Sequence, residues 1–101
     1  MKFITELCQN HNGNKDTLES MIRSAAKNSD ILKIQSIKAD TFTNRKEYEE
    51  FRPYKEEWKR LKGLELSKED EEFFIFKCME YGVDSMTTIF TPKHIDYFNE
   101  L

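Results

Sequence analysis

Three side chains define the chemistry this chain can offer. Lys33 and Gln35 sit two residues apart inside an otherwise apolar run, Ile31-Leu32-Lys33-Ile34-Gln35-Ser36-Ile37. On a strand they share one face, while Leu32 and Ile34 share the other. Glu6 lies near the end of an earlier run, Phe3 to Cys8, which passes into the amide-rich turn Gln9-Asn10-His11-Asn12-Gly13. An ammonium inside a fold needs a counter-charge, and either Glu6 or an anionic ligand could supply one. A phosphate or a carboxylate would suit Lys33. Two pairs of alternatives stay open here. The Lys33 and Gln35 face is either the solvated side of an edge strand or the lining of a site, and Glu6 is either only the partner of Lys33 or a catalytic or substrate-binding group.

These residues must be placed by a β/α framework. Polar groups at the carboxyl end of a short strand occupy the position where open α/β sheets and (β/α)8 barrels put their ligands. After the turn, Leu18, Met21, Ile22 and Ala25 recur at helical spacing, which predicts an amphipathic helix over residues 14 to 28. Ile31 to Ile37 then reads as a second strand, and the spacing from the first predicts a parallel, right-handed crossover.

From Thr41 to Gly63 the pattern loosens into a charged, aromatic excursion that Pro53 interrupts. Ser67-Lys68-Glu69-Asp70 offers a capping-box start for a helix with Phe74, Cys78 and Tyr81 on one face, and Gly82 is a stop. Val83 to Phe90 reads as a third strand. Thr91-Pro92 predicts the N-cap and first residue of a last helix carrying Ile95, Phe98 and Leu101. The fold class is therefore α/β with parallel strands, in three successive β/α units.

With 101 residues, 38% hydrophobic and 13% aromatic, the chain suffices for one domain with a modest core. A net charge of -3, from 16 basic and 19 acidic residues, gives no bulk attraction to nucleic acid or to an anionic membrane. Basic and aromatic residues interleave between Arg45 and Lys62, but five glutamates among them nearly cancel the charge, so a solvated insert is expected there. Phe3-Ile4 is followed at once by Thr5 and Glu6, unlike a secretory leader, and no apolar stretch approaches a membrane span. Cys8 and Cys78 form no C-x-x-C pair, so no disulfide framework is expected and a reducing cytoplasm is the simplest compartment.

Asn10, His11, Asn12, Gly13 and Asn14 suit turn and capping roles, since Asn and Gly tolerate left-handed backbone and cap helices. His11 and His94 are far apart in sequence and lack neighbouring ligands at metal spacing, so no metal site is expected within this chain. Thr87 and Thr88 suit a strand without further function.

Glu6-Leu7-Cys8-Gln9-Asn10-His11-Asn12-Gly13, Lys33-Ile34-Gln35, Leu64-Glu65-Leu66-Ser67-Lys68-Glu69-Asp70 and Thr88-Ile89-Phe90, in that order and at those spacings, resemble the N-terminal part of the N-acetylneuraminate (sialic acid) synthase family. The resemblance covers nearly the whole chain. It implies that residues 1 to 101 are three units of a (β/α)8 TIM barrel, an incomplete barrel, because eight units take about 250 residues. The reaction it implies condenses phosphoenolpyruvate with an N-acetylated amino sugar such as N-acetylmannosamine and releases phosphate. Lys33 would bind the phosphoenolpyruvate anion, and Glu6, as the catalytic candidate, and Gln35 would contact sugar hydroxyls or the reacting aldehyde region. A divalent metal, Mn2+ or Mg2+, would serve the complete enzyme with ligands outside this chain, so neither His11 nor His94 inherits a metal role. The resemblance further implies a cytoplasmic homodimer at full length.

The third motif departs from the family, reading Thr-Thr-Ile-Phe-Thr where many relatives have Ser-Thr-Pro-Phe, which leaves Thr88 without an assigned role. The isolated chain is expected to be inactive and, with an open strand edge and an uncovered lumen face, to self-associate. The competing reading is a non-enzymatic α/β module that binds an anionic metabolite or a partner strand at its open edge. A third, a phosphoenolpyruvate-condensing aldolase acting on phosphorylated sugars, fits the Gln9 to Gly13 turn less well.

Overall fold

The computed structural model describes residues 1–41 and 53–101. Strand β1, Ile4–Cys8, leads through the turn to helix α1, Lys15–Ala25, which Asn14 caps by accepting the Thr17 N–H at 2.9 Å. The helical run predicted to residue 28 ends as a 3-10 turn over Ala26–Asn28. Strand β2, Ile31–Ser36, follows, then a 3-10 turn at Ala39–Thr41. Helix α2, Tyr54–Leu64, begins directly after Pro53, so the excursion contains a helix that the sequence pattern did not reveal. Residues 45–52 of the interleaved basic and aromatic stretch lie outside the described residues.

Helix α3, Lys68–Glu80, starts where its capping signal predicts, with Ser67 Oγ accepting the Asp70 N–H at 3.1 Å. It stops before Gly82, whose φ of 75° is left-handed. Strand β3 spans Asp84–Ile89. The last unit departs from expectation: Pro92–His94 form a 3-10 turn before a short helix α4, Ile95–Asn99, and the Thr91 side chain makes no capping hydrogen bond.

The three strands form one parallel sheet in the order β1-β2-β3. One face of the sheet is the core. Leu7, Leu32 and Ile34 point at α1 and α3, where Leu18, Ile22, Phe74 and Cys78 close over them, all nearly or fully buried. Tyr81, grouped with this stripe on sequence grounds, is the C-cap of α3 and remains exposed. The opposite face carries no helix among the described residues. Ile4 and Met86 there are 53% and 40% exposed, and the outer edges of β1 and β3 are unpaired among the described residues. A three-unit segment of a barrel has this form, with a covered outer face and an open lumen face.

Both thiols are free. Burial pushes the Cys78 thiol up to about 12, which removes the reactive thiolate near neutrality. Alkylation of the native protein at about pH 8 should therefore modify the partly exposed Cys8 and reach Cys78 only after denaturant is added, as peptide mass spectrometry would show. No helix among the described residues is long and apolar enough to cross a membrane.

Candidate active site

The parallel register assembles the predicted residues. Glu6 lies opposite Lys33, and Lys33 lies opposite Met86, so the three form one row across the open face. Lys33 Nζ is 3.6 Å from Glu6 Oε1, and the side chains are 31% and 34% exposed. A pair this wet contributes at most about 1 kcal/mol to stability, which leaves both charges available to a ligand. Gln35 stands one step further towards the carboxyl ends on the same face, in register with Thr88 of β3. The sheet thus gathers Glu6, Lys33 and Gln35, and it adds Met86 and Thr88 as neighbours.

The end of β1 is shaped by a bulge. Register shifts between Glu6 and Cys8, and Cys8 takes a left-handed φ of 54°. Bulges of this kind end pairing and re-aim side chains beside active sites. The chain then folds back through Asn10 N–H to Leu7 C=O (3.2 Å), Asn12 N–H to Gln9 C=O (3.0 Å) and Asn14 N–H to His11 C=O (2.9 Å). Asn12 and Gly13 are left-handed at 54° and 69°, which accounts for the Asn and Gly content of the turn.

His11 takes the turn role that the sequence suggested, through a burial that the sequence did not disclose. Its ring is fully buried, Nδ1 accepts the Gly13 N–H at 2.9 Å, and burial lowers its pKa. A neutral imidazole with Nδ1 as acceptor carries its proton on Nε2, so His11 pins the turn behind Glu6. His94 is held elsewhere, by Asp40 at 3.2 Å. The Lys93 hydrogen bond, with help from His94, keeps the Asp40 carboxyl below its usual range. Among the described residues no three His, Cys, Asp or Glu side chains gather where an ion could be held.

A cleft of about 450 Å³ is bordered by Lys38, Asp40, Trp58, Ser67 and Tyr97 and not by the row. Glu6, Lys33 and Gln35 do not line it, because a lumen face with only three strands is too open to enclose a volume.

Three parallel β/α units with one covered and one open sheet face form a segment of a (β/α)8 barrel, with Glu6 and Lys33 mid-strand and Gln35 nearer the carboxyl end on the open face. The chain belongs to the NeuB family, whose profile matches residues 21–101. It is similar to the N,N'-diacetyllegionaminic acid synthase of Legionella pneumophila subsp. pneumophila, at 30% identity over 106 residues covering 98% of this chain and 30% of that protein. Its fold matches the crystal structure of N-acetylneuraminic acid (sialic acid) synthetase from Leptospira borgpetersenii serovar Hardjo-bovis in complex with citrate. That match has a TM-score of 0.77 and 22% identity, and it covers 98% of this chain and 33% of the other. The chain spans about a third of the length of these relatives.

Proposed function

We propose that this chain forms the first three β/α units of a nonulosonic acid synthase that condenses phosphoenolpyruvate with an N-acetylated amino sugar such as N-acetylmannosamine. The observation that carries this reading is the row Glu6–Lys33, with Gln35 above it, on the uncovered face of the sheet. Lys33 binds the phosphoenolpyruvate anion as a point charge, and Glu6 beside it keeps the ammonium in place until the substrate arrives. Gln35 and Glu6 hydrogen-bond sugar hydroxyls and orient the aldehyde. The methylene carbon of phosphoenolpyruvate attacks the aldehyde carbon, water adds at C2, and phosphate leaves.

A divalent cation, Mn2+ or Mg2+, belongs to the proposal as a component of the complete enzyme. The described residues offer no cluster to hold it, and the roles of Glu6, Lys33 and Gln35 do not run through it. The complete enzyme works as a cytoplasmic homodimer, and these 101 residues alone are inactive.

The test is phosphate release by the chain joined to the remaining units of a barrel, with phosphoenolpyruvate, a divalent metal and a panel of N-acetylated amino sugars. Release that requires both substrates, with a nine-carbon or longer keto acid as product, supports the reading. Release from phosphoenolpyruvate without any sugar, or none with any sugar, counts against it. In the latter case the unpaired edges of β1 and β3 would favour a binding module that adds a partner strand.

A further inference from the structure

Behind the candidate site, on the helix side of the sheet, three oxygen-bearing side chains meet, two of them buried and Thr87 half-buried. Ser36 ends β2, Thr87 lies on β3 and Glu71 reaches in from α3; Ser36 and Glu71 are each 3% exposed. Ser36 Oγ is 3.1 Å from Glu71 Oε2. The Ser36 and Thr87 hydroxyls are in hydrogen-bond contact, and Thr87 Oγ1 is 3.2 Å from the Ile34 carbonyl oxygen. These are three oxygen-to-oxygen contacts in a row, yet the two hydroxyls bring only two hydrogens between them. If Glu71 were ionised, one contact would set two oxygens together with no hydrogen between them.

We propose that Glu71 is protonated in the folded protein and supplies the third hydrogen, so that a proton locks the ends of β2 and β3 to α3. Glu71 Oε2–H then donates to Ser36 Oγ, Ser36 donates to Thr87 Oγ1, and Thr87 donates to the Ile34 carbonyl. These three contacts are then satisfied in one direction, and only the longer approach of Thr87 Oγ1 to the Thr88 carbonyl, 3.5 Å, is left over.

The surroundings agree with this assignment. Glu71 Oε1 has no hydrogen-bond partner among the described residues. Lys38 Nζ, approaching from the segment after β2, makes only a long ion pair with Glu71 Oε1, at 3.9 Å and beyond hydrogen-bond range, and it also donates to the Leu66 carbonyl at 2.8 Å. Burial raises the Glu71 pKa most; Lys38 and the Ser36 hydroxyl oppose the rise, and Asp70 on the same helix adds to it. From α4 the Tyr97 phenol, whose pKa burial raises most, would be raised further by a charge on Glu71 or Glu72. A cavity of about 170 Å³ adjoins Glu71, Thr87 and Phe98, giving an ionised carboxylate somewhere to turn and take up water.

Ser36 follows Gln35 and Thr87 precedes Thr88, so the lock fixes the backbone from which Gln35 and Thr88 project onto the open face. That consequence rests on the synthase reading, whereas the protonation does not. The sign of the pH effect follows from linkage. The folded-state pKa is raised, so the folded chain binds the proton more tightly than the unfolded one. Glu71 therefore contributes stability that is fully present below the ordinary carboxylate range and is lost as pH rises through the folded value.

The experiment is NMR of the wild-type chain labelled with 13C at glutamate side-chain carboxyls, assigned with Glu71→Gln, together with denaturant unfolding of both proteins across pH. The expected result is a Glu71 carboxyl signal that is still neutral at a pH where free glutamate is already ionised. Wild-type stability should fall across the Glu71 titration, while Glu71→Gln, permanently neutral, lacks the fall. A Glu71 carboxyl that ionises together with free glutamate, or before it, would overturn the proposal, as would a wild-type stability that rises across the Glu71 titration. If Glu71→Gln does not fold, the wild-type signal that shifts with Thr87→Val assigns the site and decides the question.

Discussion

Lys33→Met, in a barrel completed by the remaining β/α units, is expected to lower kcat/KM for phosphoenolpyruvate by about 10²- to 10³-fold, the scale of removing one preorganised charge or donor from an active site. The substitution keeps the length of the side chain and removes only the ammonium. The fold should tolerate it, because the Lys33–Glu6 pair is about one-third exposed on each side and contributes little stability. Steady-state kinetics on both substrates and a denaturant curve separate the two effects. Unchanged stability with a loss concentrated on phosphoenolpyruvate supports an anion-binding role. An unchanged kcat/KM would make Lys33 only the partner of Glu6. Lys33→Arg restores the charge but not the point-like ammonium, so partial recovery is expected.

Gly13→Ala should be the most damaging small change to the fold, costing about 2–5 kcal/mol, from the left-handed backbone and from steric overlap together. The φ of Gly13 is 69°, and a Cβ there would lie 2.4 Å from the backbone carbonyl oxygen of Gly63. Neither backbone can yield without moving the turn behind Glu6 or the end of α2. Two other glycines serve as controls. Gly82 is also left-handed, at 75°, but a Cβ would meet nothing within 4 Å, so Gly82→Ala should cost only the backbone part, about 1–2 kcal/mol. Gly63 sits inside α2 with open space around it, so Gly63→Ala should stabilise by about 0.4–1 kcal/mol. Urea unfolding of the three variants checks the ranking, and equal losses at Gly13 and Gly82 would remove the contact with Gly63 from the account.

The open face was legible because its signal is local. Alternation in Ile31 to Ser36 puts Lys33 and Gln35 on one side whatever the rest of the fold does, and parallel pairing then brings Glu6 opposite Lys33. The caps at Asn14 and Ser67 were legible for the same reason. Helix α2 was hidden because the face it buries includes Glu57, paired with Arg60 at 2.6 Å, where an apolar residue would have shown the period. The demand for glycine at Gly13 depends on a carbonyl far along the chain, that of Gly63, and no local pattern reports that. Thr87 read as an ordinary strand residue, and only the sheet register brings it to Ser36 and Glu71.

The central claim is that these residues carry one wall of a phosphoenolpyruvate-condensing site that the other units of the barrel complete. It is tested most directly by measuring phosphate release from phosphoenolpyruvate and an N-acetylated amino sugar by the 101-residue chain alone and by the same chain joined to the remaining units. Release only by the joined protein, and its loss with Lys33→Met, is the predicted result. Turnover by the short chain, or full turnover by the joined protein carrying Lys33→Met, would contradict it.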